Sequence, residues 1–399
     1  MINTLEDKYN ITFPVGHNED IRCIRLTLDP VQAIHRPLLF YLTVYLSVSL
    51  LNTLVLTRWW KFQPHGDHNT LWGGPILRIH HCVKWLKTCI PGPHQPQHQQ
   101  RSTNMTTASS TSVTSTQRIP TFAPFCNNTK SADDQLVYWY RPASDTYQHT
   151  NDPSIPRQND NNLKTPLVFL HGFGIGPGLY MEFIYRLIKM NRPLYVVEIP
   201  AVAMRMVETV PEVHVVVNGI KNMLHSHGYK HAVFVGHSFG TDVTNWIMNN
   251  SPSMVAGAVM IDPVCFLLQH AHVAFNFIHR TPKRLFEYLM RYGASRELYI
   301  SNYVARHFQW YENICFVDKM YNKQHPLFNN TVVFLSEKDG VTDSPLVAKN
   351  FVKHGVNHRV MQSLEHGEFL MNWTWRKQIL DQIEWIARNV DDEGIDLQP

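Results

Sequence analysis

Charge is scarce in this 399-residue chain: Asp, Glu, Lys and Arg together make up 17%, against about 25% in an ordinary globular protein. That excludes a highly charged coiled coil. The formal net charge of +4 is too weak an electrostatic footprint for a nucleic-acid binder, though it suits contact with an anionic membrane surface. Cysteine is also sparse, at six residues, so a disulfide scaffold is excluded. No CxxC pair occurs, and the 23 histidines contain no HExxH or similar ligand spacing. No zinc or redox motif of that kind is therefore expected. What the chain does have is apolar material, 44% hydrophobic and 12% aromatic, which excludes wholesale disorder. Its length allows one large domain with appendages, or two ordinary domains.

One uncharged run stands out, LLFYLTVYLSVSLLNTLVLT at 38–57. Twenty helical residues at about 1.5 Å each cover about 30 Å, the hydrocarbon thickness of a bilayer. Arg36 precedes the run, and Arg58, Trp59, Trp60 and Lys61 follow it, as at a membrane–water interface. The expectation is a single transmembrane helix after an N-terminal segment 1–37. Flanking charges leave its orientation open, so sequons at Asn104, Asn127, Asn249, Asn329 and Asn372 matter only if the C-terminal side is lumenal. A juxtamembrane segment 58–92 carries Ile76, Ile79, Val83, Leu86 and Ile90 at helical spacing, which fits a helix on the bilayer surface or one packed on the downstream domain; Cys82 and Cys89 there read as free thiols first and as lipidation sites second. Residues 93–131 read as a disordered linker, because 93–118 is almost all Gln, Ser, Thr, His and Pro.

From residue 132 the pattern becomes alternating. Short runs at 135–140, 167–170, 194–199, 232–235, 258–261 and 332–335 read as strands, most of them apolar on both faces. Such runs suit central parallel strands covered by helices. Amphipathic stretches near 179–190, 211–227, 239–249 and 373–389 read as those helices. The expectation is an α/β fold with a doubly wound sheet, its core at 132–263 and 327–390, and a tail at 391–399. A polar stretch at 143–165 reads as a long surface loop.

The strongest chemical signal is AVFVGHSFGTDV, an apolar strand running into Gly236-His237-Ser238-Phe239-Gly240 and then a helix. This is G-x-S-x-G in strand–turn–helix context. A serine on so tight a turn needs small residues two positions before and after it. The helix N-terminus and the Phe239 amide then face a developing oxyanion. Upstream, a strand ends in His171-Gly172-Phe173-Gly174, where Gly172 and Gly174 allow close backbone approach and the Phe173 amide is the candidate second donor. An acid and a base should come after the serine, in that order. Asp339, in Glu337-Lys338-Asp339-Gly340 after a strand, is the candidate acid, with Asp343 and Asp262 as competitors and an ordinary Asp-Gly turn as the plain alternative. His366, in Glu365-His366-Gly367-Glu368-Phe369, is the candidate base, with His354 and His358 less well placed.

Taken together, HGFG, GHSFG, EKDG and EHGEF resemble the α/β-hydrolase superfamily over roughly residues 133–390. The resemblance implies an eight-stranded, mostly parallel sheet, a Ser-His-Asp triad of Ser238, His366 and Asp339, and an oxyanion hole. The stretch Asp262-Pro263-Val264-Cys265-Phe266 and the segment after it look like a membrane-associated branch common in fungi and other microbial eukaryotes. Epoxide hydrolases and haloalkane dehalogenases of this fold carry Asp at the nucleophile position, so Ser238 argues against both. A His-x4-Asp pattern of some acyltransferase-like relatives is missing, since Met371 stands there. Residues 264–326, rich in aromatics and cations, are too long for a simple connection and read as a helical cap.

The expectation is thus a membrane-anchored serine hydrolase acting on a lipid-like or otherwise hydrophobic carboxylic ester. The serine chemistry that the motifs suggest needs no metal or organic cofactor. An acyltransferase on the same fold and a non-catalytic membrane receptor or scaffold are the rivals.

Overall fold

The computed structural model describes residues 12, 16, 27–66, 136–144, 164–207, 209–317, 328 and 330–393. The helical segment expected near 76–90, the linker, Cys82, Cys89, most of the 143–165 loop and the end of the tail lie outside them.

Eight strands form one sheet in the order β1-β2-β4-β3-β5-β6-β7-β8. They are β1 (Gln63–His65), β2 (Val137–Arg141), β3 (Leu167–Leu170), β4 (Leu194–Glu198), β5 (Ala232–His237), β6 (Val255–Ile261), β7 (Thr331–Ser336) and β8 (His358–Met361). Strand β2 runs antiparallel to both β1 and β4, and every pair from β4 to β8 is parallel. This is the α/β-hydrolase fold. Its central strands are wholly buried because both faces are covered: Val168 and Leu170 of β3 join one apolar cluster, Leu167 and Phe169 the other.

The covering helices, numbered after the N-terminal helix α1 (Leu38–Trp59), are α2 (Met181–Lys189), α3 (Val213–Ser226) and α4 (Phe239–Asn250), then α7 (Ser344–His354) and α8 (Trp373–Glu393). Between β6 and β7 lies an insertion that includes α5 (Leu285–Met290) and α6 (Leu298–Arg306). Its two ends meet, since the Cys315 amide donates to the Cys265 carbonyl at 2.8 Å. The insertion can therefore vary without disturbing the sheet.

Two features depart from a core that begins at residue 132. Strand β1 comes from the segment just after α1, pairing Pro64 with Trp139 at the sheet edge. Helix α1 itself is docked on the core. Tyr41, Tyr45, Val48, Asn52 and Leu56, spaced three or four residues apart, are buried along its whole length. At its middle the fully buried Arg205 donates to Glu198 Oε1 at 2.7 Å and to Ser49 Oγ of α1 at 3.2 Å.

Candidate active site

Strand β5 delivers Ser238 to the tip of a sharp turn. The serine has φ 52° and ψ −122°, a conformation that costs a non-glycine residue about 1–3 kcal/mol. The turn persists because its surroundings leave it no room. A Cβ on Gly236 would lie 2.6 Å from the Gly240 carbonyl oxygen, and one on Gly240 would lie 2.1 Å from the Leu170 carbonyl oxygen. Those two glycines let α4 press against β5 and β3, which is the physical content of the G-x-S-x-G spacing.

His366 follows β8 and a turn, and its Nε2 stands 2.9 Å from Ser238 Oγ. On the other side its Nδ1 lies 2.8 Å from Asp339 Oδ2. Asp339 does two things at once. Its Oδ1 accepts from the Val341 and Thr342 amides at 2.7 and 3.1 Å, which shapes the turn, while Oδ2 faces the imidazole. The sequence competitors go elsewhere. Asp343 caps α7 through the Leu346 amide. His354 and His358 turn to the backbone carbonyls of Asn350 and Val356. Burial alone would push His366 down, but the Asp339 charge and hydrogen bond, helped by the Asp262 charge, raise it to about 9.

The HGFG turn packs against the serine. A Cβ on Gly172 would meet the Ser238 Cβ at 2.8 Å, so only glycine fits there. The ring of Phe173 stacks on that of Phe239 with centroids 4.9 Å apart and planes 15° apart. This fastens the turn after β3 to the N-terminus of α4, and such pairs contribute about 0.5–1.5 kcal/mol beyond burial. His171 braces the same turn. Its Nδ1–H donates to the Gly172 carbonyl at 2.7 Å and its Nε2 accepts from the Ile199 amide at 3.1 Å. Burial pushes its pKa down, which keeps that neutral tautomer.

Beneath Ser238 lies a second polar chain that sequence reasoning missed. The Gly172 amide donates to Tyr180 Oη at 3.0 Å, and the Tyr180 hydroxyl donates to His237 Nδ1 at 2.7 Å. His237 Nε2 then faces Asp262 Oδ2 at 3.7 Å. Asp262 accepts the Ser336 amide with Oδ1 at 2.9 Å and the Gly367 amide with Oδ2 at 2.7 Å. The chain thus links the HGFG turn, the nucleophile turn and the His366 loop. His237 stood inside the quoted motif and Asp262 at a strand end, but nothing local in the sequence pairs them.

A cavity of about 530 Å³ opens above Ser238 and His366. Core residues Phe173, Ile175 and Met204 line it together with Phe277, Leu289 and Met290 from the insertion. Its size is ordinary for a small-molecule site and its walls are overwhelmingly apolar. The insertion also touches the loops that carry the polar groups. Arg280 donates to the Gly340 carbonyl at 3.2 Å, and Arg284 pairs with Glu365. Among the described residues no cluster of three or more His, Cys, Asp or Glu side chains could hold a metal ion.

No protein-family model and no curated protein matches the chain. Solved structures do match. A carboxylesterase of the thaumarchaeon Nitrososphaera gargenis is 14% identical, with a TM-score of 0.44 over 64% of this chain and 96% of that one. An esterase of Pyrococcus furiosus is 12% identical, with a TM-score of 0.41 over 63% of this chain and 85% of that one. A carboxylesterase of Bacillus subtilis is 14% identical, with a TM-score of 0.42 over 62% of this chain and 87% of that one. At such identities the likeness is confined to the fold, and neither substrate nor residue roles carry over from it.

Proposed function

We propose that the chain is a membrane-associated serine hydrolase that cleaves a carboxylic ester with a long apolar portion. The observation that carries this reading is the alignment of Ser238 Oγ, His366 and Asp339 at 2.9 and 2.8 Å on the floor of the apolar cavity. Neutral His366 accepts the Ser238 proton through Nε2 while its Nδ1–H stays on Asp339. Ser238 Oγ attacks the ester carbonyl carbon. The amides of Phe173 and Phe239 receive the oxyanion. His366 then gives its proton to the leaving alcohol, and an acyl-enzyme forms. Water, deprotonated by His366 in turn, releases the acid and restores Ser238. This chemistry calls for neither a metal nor an organic cofactor. The acyl portion is matched to the apolar walls around Phe277 and Leu289, and α1 holds the enzyme at its lipid-like substrate.

Fluorophosphonate labelling of the full chain in detergent tests the reading, comparing wild type with Ser238→Ala and His366→Ala. We expect labelling of wild type only, and hydrolysis that favours medium or long acyl chains over acetyl. Undiminished labelling in folded Ser238→Ala would remove Ser238 as nucleophile. Acyl transfer to an added alcohol that outruns hydrolysis would turn the reading to an acyltransferase.

A further inference from the structure

Helix α1 is 22 residues long and apolar enough to cross a bilayer, but its docking is hard to reconcile with crossing one. Its buried stripe runs from Tyr41 to Leu56. Near its start, the Arg36 guanidinium sits 4.0 Å from the Tyr292 ring centroid and Tyr41 meets Tyr299 edge-on at 5.8 Å. At its middle, Ser49 takes the Arg205 hydrogen bond. Past its end, Trp60 stacks on Tyr185 at 5.8 Å and β1 joins the sheet. A helix fixed in this way along some 33 Å cannot traverse hydrocarbon without carrying the flank of the core with it. That flank includes the half-exposed Glu182–Arg186 pair on α2, beside Tyr185. Charged groups of that kind are not tolerated facing lipid.

The opposite face of α1 is free of the core and mostly leucine, with Thr43, Ser47 and Thr53 as its exposed polar side chains. Leu39, Leu46 and Leu50 are 72%, 53% and 60% exposed, and the Thr43 hydroxyl on this side is satisfied by the Leu39 carbonyl. This face continues into the cavity rim. Leu51 lies against Gly178, next to the rim residue Leu179, and Phe40 meets Tyr292 edge-on at 5.9 Å, next to the cavity-lining Gly293. Around the rim Leu289 and Met371 line the cavity yet are exposed to solvent, and Leu285 and Tyr288 extend the exposed apolar surface along α5. Exposed cations flank these elements: Arg58 in the last turn of α1 and Lys61 just after it, Lys283 and Arg284 before α5. A contiguous apolar surface of this kind, flanked by cations and aromatics, fits the headgroup–acyl boundary of a single leaflet.

We propose that α1 and the cavity rim form one face seated in a single leaflet of a lipid bilayer, with α1 lying along the membrane plane. An ester lipid then reaches Ser238 sideways from that leaflet, without passing through water. This last step rests on the hydrolase reading; the seating does not.

The test uses the full chain in sealed microsomes, with an epitope tag at each terminus. In-plane seating places both tags on the same side, so added protease reaches both or neither. Protection of one tag and cleavage of the other means a transmembrane α1 and overturns the proposal. In parallel, vesicles containing a diazirine-bearing phosphatidylcholine should photolabel Leu179, Met371 and residues 285–289 as well as the exposed face of α1. Adducts confined to α1 would put the rim in water and also overturn it. Both readouts are repeated on Ser238→Ala, so they stand whether or not the chain labels with fluorophosphonate. Finally, the double variant Leu285→Glu/Tyr288→Glu should lower turnover of a vesicle-embedded ester about tenfold and leave a water-soluble short-chain ester unchanged. Equal loss on both substrates, or on neither, argues against lateral access.

Discussion

Asp262 Oδ2 accepts the amide proton of Gly367 at 2.7 Å, so a carboxylate at the end of β6 holds the residue next to His366. The acid positions after β6 and after β7 are thus both filled, and they divide the work. Asp339 bonds the imidazole itself, while Asp262 fixes its loop and adds a charge that favours the imidazolium. Replacing Asp339 by Asn should lower kcat by about 10⁴, because the wrong tautomer of His366 then faces Ser238. Asp262→Asn places an NH2 group against a backbone N–H, loosening the loop without touching Nδ1. Its kcat should fall by about ten- to a hundredfold, with the pH profile moved to lower pH. Steady-state kinetics on both variants decides the assignment. A larger loss for Asp262→Asn than for Asp339→Asn would make Asp262 the triad acid.

In the proposed mechanism the pH dependence follows from His366. With its pKa raised to about 9, the imidazole is largely protonated at neutral pH and cannot accept the Ser238 proton. The fluorophosphonate labelling rate should therefore climb between pH 7 and 10 with a midpoint near 9. For stability the sign is opposite. A histidine whose folded pKa is raised stabilises the fold fully below its unfolded value of about 6.5, and that contribution is lost as pH rises through about 9. Asp339→Asn should move the labelling midpoint down by removing the charge that holds the proton. A wild-type midpoint at or below 6.5 would mean that the Asp339 pairing does not dominate.

Buried charge also ties α1 to the core. Arg205 and Glu198 have side chains 1% and 0% exposed, and they lie below the turn that carries Gly176. Removing one member strands the other, which costs about 3–5 kcal/mol, whereas replacing both by apolar groups of similar size is often tolerated. Arg205→Met alone should thus lower the melting temperature sharply, and Arg205→Met/Glu198→Leu should recover most of the loss. Thermal unfolding in detergent measures the cycle. Additive losses would show that the two groups do not depend on each other.

The candidate site residues could be picked out in the sequence because each sits where a short motif meets a strand end. Ser238 follows an apolar strand, Asp339 follows β7 and His366 follows β8, and the sheet brings the three strand ends to one edge. The central strands were legible for a simpler reason: burial on both faces leaves uninterrupted Val, Leu and Ile. Strand β1 was not, because Gln-Pro-His at an exposed edge has no apolar alternation to read. Nor was the docking of α1. Its core-facing and outward-facing positions are both mostly apolar, so no periodicity marks which side is covered. The Tyr180–His237–Asp262 chain escaped for want of any local signal, since its members are joined only by the fold.

Asp242, in the first turn of α4, is a further buried acid. Its carboxylate is fully buried with no hydrogen-bond partner on either oxygen among the described side chains. Burial pushes its pKa well above the usual carboxylate range, which favours the neutral acid in the folded protein. A group with a raised folded pKa leaves stability intact below its unfolded value, about 3.9, and costs progressively more as pH rises toward the folded value. Asn has nearly the same shape and no proton to retain. Asp242→Asn should therefore leave the melting temperature almost unchanged near pH 4 and raise it by several degrees near pH 7.5. Scans of both proteins at the two pH values give the comparison directly. A lower melting temperature for the variant at pH 7.5 would show instead that Asp242 is ionised and compensated inside the fold.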